Sequence, residues 1–430
     1  MGLPRFLTAA VEGFDVVDMK EWLSDGKIEI YLERSTDRKD FLCYRCGTTM
    51  SKARGKHRMK IEGMPVFGFK TYFIFWRHKK HCPECGKARS EEVSFLAEET
   101  PHLTKEYAWW LGRLCEIAAI TRAAELVDQN AMTMYRLDLA RMRLMLQRYK
   151  IPPVRRISVD EVYARKKPKY RGESRNDRFF TVISDLDTHR VIWVSESRSR
   201  KGLDEFYQLI GEDACKLIEV VAMDQHDDFA VSTRDNCPNA SVVWDRFHLM
   251  QNFEKAVNEV RKDLHNEQEG GSEMRRLTRG KFRFLFLKKA SKRDDEERKH
   301  LDDVLKENDR FVRLELIKER MLSLFVEPDE KAARKVFEEV GDWIWQAGFE
   351  PLMRWYTELD KGWDTLKNYF KHRVTSALSE GQNNVIKMLK RRAFGYRNMT
   401  YFRLKIMQLC GYLNSRFINI DFSSTYTKKL

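Results

Sequence analysis

Ile157-Ser-Val-Asp-Glu-Val-Tyr163 alternates apolar and polar residues with the period of two that puts successive side chains on opposite faces of a β-strand. Two further stretches share its β-branched and aromatic character, Arg178-Phe-Phe-Thr-Val-Ile-Ser184 and Arg190-Val-Ile-Trp-Val194. Between them, Asp185-Leu-Asp-Thr-His189 has the short polar residues of a turn, so the second and third strands read as a hairpin. A helix is predicted from Leu203 to Ile210. A buried-type strand, Leu217-Ile-Glu-Val-Val-Ala-Met223, and a last strand, Ser241-Val-Val-Trp244, follow. The order β-β-β-α-β-α-β is an antiparallel hairpin unit that continues into α/β alternation.

Two carboxylates occupy informative positions in this pattern. Asp160 falls in the middle of the first strand, where an unpaired charge is costly to bury and a metal ion would be a good partner. Asp224 follows directly after Met223, at the C-terminal strand end where α/β sheets place their sites. The two meet if their strands are neighbours. A third carboxylate from a helix packed on the sheet would complete a site for two ions on the order of 4 Å apart, suited to phosphodiester displacement. Blander readings compete. Glu161 adjoins Asp160, and one of the two must point away; Asp227 and Asp228 suit a helix start, and Asp185 and Asp187 suit a turn. Pattern alone does not select the third carboxylate.

Upstream, Cys43-Tyr-Arg-Cys46 and Cys82-Pro-Glu-Cys85 are each followed by glycine, the layout of two zinc knuckles. Four ordinary buried thiols are the alternative. A four-cysteine site would be structural, since four protein ligands leave no open position for chemistry. His57, His78 and His81 are candidate replacement ligands, although each is more often a surface histidine. Cys115, Cys215, Cys237 and Cys410 lie in apolar surroundings and read as reduced thiols of a cytosolic protein. Residues 104–149 are helical in character and end before Ile151-Pro-Pro153, a natural boundary. Within them Thr121–Asp128, a Gln129-Asn130 turn and Met132–Arg143 have the shape of a helix-turn-helix, with Arg136 and Arg141 as candidate DNA contacts. A plain helical connector with solvated arginines, Arg143 included, fits the same pattern. Residues 246–372 are charged and helical, with a Gly-Gly break at 270–271 and Trp343, Trp345, Trp355 and Trp363 at helical spacing. Two more helices are predicted from 378 onward.

Composition narrows the class of partner. The chain has 430 residues, enough for two or three domains, and 42% hydrophobic residues, enough for a sizeable core. A formal net charge of +14 favours a polyanionic partner, of which nucleic acid is the commonest. No segment has the uncharged apolar length of a membrane span, and the run MGLPRFLTAAVEGFDVV does not read as a secretory signal.

Several stretches together resemble one family. They are Ile157-Ser-Val-Asp-Glu-Val162, Val221-Ala-Met-Asp224, Asp245-Arg-Phe-His248, Ser379-Glu-Gly-Gln-Asn-Asn-Val-Ile-Lys387 and Arg391-Arg-Ala-Phe-Gly-Tyr396. With the zinc knuckles and the helix-turn-helix before them, they resemble the ISL-three-type insertion-sequence transposases over residues 40–415. The resemblance implies a ribonuclease-H-like, retroviral-integrase-like catalytic core with a large helical insertion. Its triad would be Asp160, Asp224 and Glu380, holding Mg²⁺ or Mn²⁺, with Zn²⁺ structural at the cysteines. Asp245, Arg246 and His248 match a family motif and would support the metals or the DNA. Implied partners are transposon-end and target DNA, with a dimer or larger assembly joining two ends. The expected domains are 1–100 (zinc), 101–152 (helix-turn-helix), 153–265 (core, first part), 266–372 (insertion) and 373–430 (core, last part). The knuckle spacing is wide for the family, and Ala377-Leu-Ser-Glu380-Gly381 stands where the family often has asparagine-glycine.

Lys387, Lys390, Arg391, Arg392, Arg397, Arg403 and Lys405 cluster after Glu380, a cationic surface suited to a phosphodiester backbone or simply a solvated helix face. Phe394, Tyr396 and Tyr401 read as core, with base stacking as the alternative. Two other functions share these features: a domesticated transposase acting as a DNA-binding regulator, and a nuclease that cuts without joining.

Overall fold

The computed structural model describes residues 11–35, 41–50, 52–164, 178–268, 275, 285–374, 377–393 and 395–418. The Gly-Gly break at 270–271 and Phe394 lie outside the described residues. The chain divides into two compact units, one of residues 1–150 with 412–430, the other of residues 151–411.

The first unit begins with strands β1 (Phe14–Trp22), β2 (Lys27–Arg34), β3 (Phe41–Leu42), β4 (Thr49–Met50), β5 (Ala53–Val66), β6 (Phe69–Cys82) and β7 (Lys87–Ser90). The main sheet runs β1-β2-β6-β5, with β7 also on β6, and β3 pairs β4 separately. β5 and β6 form a long hairpin closed by Phe67 and Gly68, both with positive φ (49° and 85°). Such a two-residue turn matches the right-handed twist of the strands and favours glycine at its second position. Alternation turns Ile61, Phe73 and Phe75 inward onto Phe14, Ile30 and Phe95. Helices α1 (Lys105–Ile117), α2 (Ile120–Leu126) and α3 (Ala131–Arg148) follow. Asn130 Oδ1 accepts from the Met132 amide at 2.8 Å, which is why α3 starts after the Gln129-Asn130 turn. Tyr107, Leu111, Cys115, Ala123, Met134 and Leu137 bury the facing stripes.

The second unit is mixed α/β. It contains β8 (Arg156–Tyr163), β9 (Phe179–Asp185), β10 (Arg190–Ser195), α4 (Arg200–Ile210), α5 (Glu212–Lys216), β11 (Val220–Met223), α6 (Asp227–Asn236) and β12 (Ser241–Trp244). The sheet order is β10-β9-β8-β11-β12. β9 is antiparallel to β8 and β10, while β11 is parallel to both β8 and β12. The strand expected from Leu217 starts later, at Val220, because Leu217 keeps helical backbone angles after α5 and is 52% exposed.

Beyond β12 lie α7 (Arg246–Asn266), α8 (Asp295–Glu307), α9 (Asp309–Ser323), α10 (Glu330–Ala347), α11 (Glu350–Lys361), α12 (Trp363–Leu366), α13 (Asn368–His372), α14 (Ala377–Arg392) and α15 (Met399–Leu409). One hydrophobic core runs from Val220, Ala222 and Val243 of the sheet into Phe253, Phe311 and Phe337 of these helices. Trp343, Trp355 and Trp363 pack against it, whereas Trp345 is 54% exposed. The Trp244 ring lies so close to Gly362 that an added Cβ would sit 1.7 Å from its Cη2. At the far edge, the Val191 amide donates to the Cys410 carbonyl at 3.0 Å, and Phe402 packs on Phe180.

Candidate active site

Val159 and Met223 are register partners on the parallel strands β8 and β11. The next residues, Asp160 and Asp224, therefore stand side by side where β11 ends. Asp160 is half-buried. Its Oδ1 accepts from the Glu161 amide at 2.6 Å and its Oδ2 from Asn383 Nδ2 at 2.7 Å. Burial pushes the Asp160 carboxyl above the usual range, against those two hydrogen bonds. Asp224 is exposed and accepts from the Gln225 amide at 2.7 Å. Among the described residues no lysine or arginine pairs with either carboxylate.

Asp245 follows β12 and N-caps α7, accepting from the Phe247 amide at 2.8 Å. Its Oδ2 lies 2.8 Å from His248 Nδ1, and the same nitrogen is 3.9 Å from Asp224 Oδ1. The hydrogen bond to Asp245, with Asp224 and Asp160 nearby, pushes the His248 imidazole up to about 9. Arg246 turns elsewhere, over the Phe325 ring at 5.2 Å.

Glu161 points away from Asp160, as alternation requires. Burial pushes its carboxyl up to about 7, although Arg198 opposes the shift. Its Oε1 lies 3.3 Å from Arg198 Nε and 3.5 Å from His226 Nε2. Sequence reading missed both partners, since each comes from a segment remote from β8.

α14 is fastened across the sheet by three residues, of which the sequence reading left Asn383 and Gln382 without roles and gave Lys390 to the DNA surface. Asn383 reaches Asp160. Gln382 Oε1 accepts from Ser184 Oγ at 2.6 Å, and its Nε2 donates to the His189 carbonyl at 2.7 Å. Lys390 Nζ donates to the Tyr163 carbonyl at 2.9 Å. The available signal was the amide-rich Gln382-Asn-Asn384, separated from Glu380 by Gly381 alone. Glu380 lies in the first turn of α14, one turn before Asn383; its side chain lies outside the described residues.

Of the basic cluster, Lys387, Arg391, Arg392 and Arg397 are exposed. Arg403 and Lys405 depart from the expected DNA surface. Arg403 packs over Trp193 at 4.9 Å, and Lys405 is buried and donates to Gln408 Oε1 at 2.6 Å. Their positions on α15 face β10 and the core, and helical period carries them there. Tyr396 stacks on Phe402, and Tyr401 is buried.

In the first unit the Sγ atoms of Cys43, Cys46, Cys82 and Cys85 all lie within 4.8 Å of one another. The cluster is compatible with zinc, and no histidine joins it among the described residues. His78 instead bonds the buried Glu91, its Nδ1 lying 3.1 Å from Oε1. The Thr48 hydrogen bond lowers the Cys46 thiol to about 6. The hydrogen bond to Cys46, with burial, raises Cys85 to about 11. On α3, Arg136 is exposed, but the expectation for Arg141 is corrected: it is 3% exposed and ion-paired to Glu116 at 2.7 Å, with its guanidinium over Trp109. Position 141 shares the helix face of Leu137 and Met145, so it points into the core.

A pair of carboxylates side by side on adjoining strands, with a helix bonded to one of them and an exposed basic surface beside it, suits an enzyme acting on a phosphodiester backbone. Residues 157–406 match the ISL3 transposase family, and the chain belongs to that family. It is 24% identical over 393 residues to the transposase for insertion sequence element IS1001 of Bordetella parapertussis, covering 91% of this chain and 94% of that one. It is 21% identical over 281 residues to the transposase for insertion sequence element IS1557 of Mycobacterium tuberculosis, covering 60% of this chain and 61% of that one. Membership makes it a DNA transposase, an enzyme of DNA cleavage and joining. No helix among the described residues is long and apolar enough to cross a membrane.

Proposed function

We propose that the second unit is a ribonuclease-H-like core in which Asp160, Asp224 and Glu380 hold divalent ions, Mg²⁺ or Mn²⁺. On this reading the chain cleaves transposon ends and joins the freed 3′-hydroxyl to target DNA. The observation that carries it is the register of β8 and β11, which sets Asp160 beside Asp224 while Asn383 ties the Glu380 helix to Asp160. The residues fit the metal: two oxygen donors side by side, one half-buried, and neither neutralised by a lysine or arginine among the described residues. When bound, such ions activate a water or hydroxyl and stabilise the leaving oxygen.

The chain's own residues supply the rest. Asn383 and the Glu161 amide fix the rotamer of Asp160. Asp245 caps α7 and holds His248 beside Asp224. Lys387, Lys390, Arg391, Arg392 and Arg397 bind the DNA backbone; Lys390 does so after releasing the Tyr163 carbonyl. Terminal repeats are bound by the zinc region and by the α2–α3 pair through Arg136. Two chains assemble to join two ends.

Glu380 rests on family resemblance and on the tie of its helix to Asp160, so it is the residue to test. Glu380→Gln should retain DNA binding and lose end cleavage in Mg²⁺ on the order of a thousandfold. Wild-type cleavage in that variant removes Glu380 from the mechanism. The same assay on Asp224→Asn tests the strand pair independently.

A further inference from the structure

The long β5–β6 hairpin has an outward face that neither the zinc site nor the carboxylate site uses. Its inward residues Met59, Ile61, Phe73 and Phe75 are buried. On the other face Lys56, Arg58 and Lys60 succeed one another along β5, with Trp76 directly across from Arg58. Alternate residues of a strand stand about 7 Å apart, so these three form a row of cations. Each is laid on an aromatic ring. Lys56 Nζ lies 4.9 Å from the Trp76 ring, Lys60 Nζ 4.3 Å from Tyr72, and the Arg58 guanidinium 5.9 Å from Tyr31. Trp76 is nonetheless 49% exposed.

The charge along β5 and β6 is unbalanced. Lys60 is neutralised by Glu29 at 2.7 Å. Lys56 and Arg58 are exposed and enter no ion pair among the described residues. Glu62, the remaining acid on the β5 side, is engaged by Gln129 at 2.9 Å. Asp15, Asp18 and Glu33 share this face toward the opposite margin of the sheet, on β1 and β2. The face is therefore cationic along β5–β6 and carries a large exposed aromatic in its middle. Bare cations flanking an exposed tryptophan fit a polyanion with apolar faces between its charges, which is the chemistry of nucleic acid.

We propose that the outward face of β5–β6 is a docking surface for duplex DNA. Lys56 and Arg58 bind phosphates, and Trp76 packs against the sugar edge between them. The face positions the DNA without reading its sequence, because cations on phosphates carry no base information. The proposal rests on the chain's action on DNA, and it is separable from the roles given to Asp160, Asp224 and Glu380.

The test uses the full-length, zinc-loaded protein and a mixed-sequence DNA duplex over a salt titration. The Lys56→Ala/Arg58→Ala double variant should bind about tenfold more weakly, and its log–log salt slope should be shallower by about two. Trp76→Ala should weaken binding about fivefold and leave the slope unchanged. In the wild type, duplex should slow acylation of Lys56, read by mass spectrometry, a measurement that needs no variant to fold. An unchanged slope in the double variant together with unprotected Lys56 overturns the proposal. Tighter binding of a single strand than of duplex, lost in Trp76→Ala, also overturns it in favour of base stacking. Asp224→Asn should bind duplex like the wild type. Wild-type cleavage by Asp224→Asn alongside weakened binding in the hairpin variants fails the carboxylate reading alone, whereas lost cleavage there alongside an unchanged salt slope and unprotected Lys56 fails the hairpin proposal alone.

Discussion

Asn383 donates to Asp160 across 2.7 Å, joining residues 223 positions apart in the chain. The bond fixes a β-strand carboxylate to the helix that carries Glu380 one turn earlier. A neutral amide is well suited to this contact: it orients the carboxylate through one oxygen without neutralising it, and leaves its charge for a cation.

Asn383→Ala should therefore lower end cleavage in Mg²⁺ by about 10- to 100-fold, the usual effect of removing a residue that orients a metal ligand. The metal concentration giving half-maximal rate should rise, while duplex affinity stays constant. A variant with normal metal dependence would show that Asp160 holds its geometry without the amide.

The cysteine cluster gives a prediction about folding. Purified protein should carry zinc at one ion per chain, released by a thiol-reactive reagent. Cys82→Ser should lose that ion and melt the first unit, because binding energy at a structural zinc is folding energy of about 10 kcal/mol or more. Metal analysis and circular dichroism read the two effects. A zinc-free protein with an intact first unit would refute the assignment.

Arg136 and Arg141 lie five residues apart on α3 yet should behave oppositely. Arg141→Ala leaves Glu116 without its ion-pair partner and removes the group packed on Trp109, so it should cost about 3 kcal/mol of stability in denaturant unfolding. Arg136→Ala should leave stability within about 0.5 kcal/mol and weaken binding of transposon-end DNA. Equal stabilities for the two variants would contradict the burial of Arg141.

Gly362 abuts Trp244, and a methyl group there would overlap the indole. Gly362→Ala should destabilise the second unit by about 1–3 kcal/mol, the usual range for overpacking, and lower its melting temperature. An unchanged melting temperature would mean that the indole moves aside freely.

The sheet was legible because its information is local. Alternation in Ile157–Tyr163, the turn residues after Ser184 and the apolar run before Asp224 each announce themselves within a few residues. The paired cysteines were legible for the same reason. Long-range partnerships were not. Nothing near Arg141 says that Glu116 will receive it, and nothing near Glu161 points to Arg198 or His226. The basic residues after Glu380 looked uniform as a string. Helical rotation then separated exposed Arg391 and Arg392 from Arg403 and buried Lys405. The catalytic reading inherits this division: Asp160 and Asp224 follow from strand position, whereas Glu380 could not be chosen without the family.

The core shared between the sheet and the helices after β12 bears on how this enzyme tolerates change. Because Val220 and Val243 are buried in the same cluster as Phe253 and Phe337, the helical layer is not a detachable accessory. Deleting it would strip one face of the strand that ends at Asp224 and expose it to solvent. The layer can vary at its surface and in its connections, but its inward residues share one buried cluster with β11 and β12. A lesion deep among the helices would then be felt as lost chemistry, at a distance from any carboxylate.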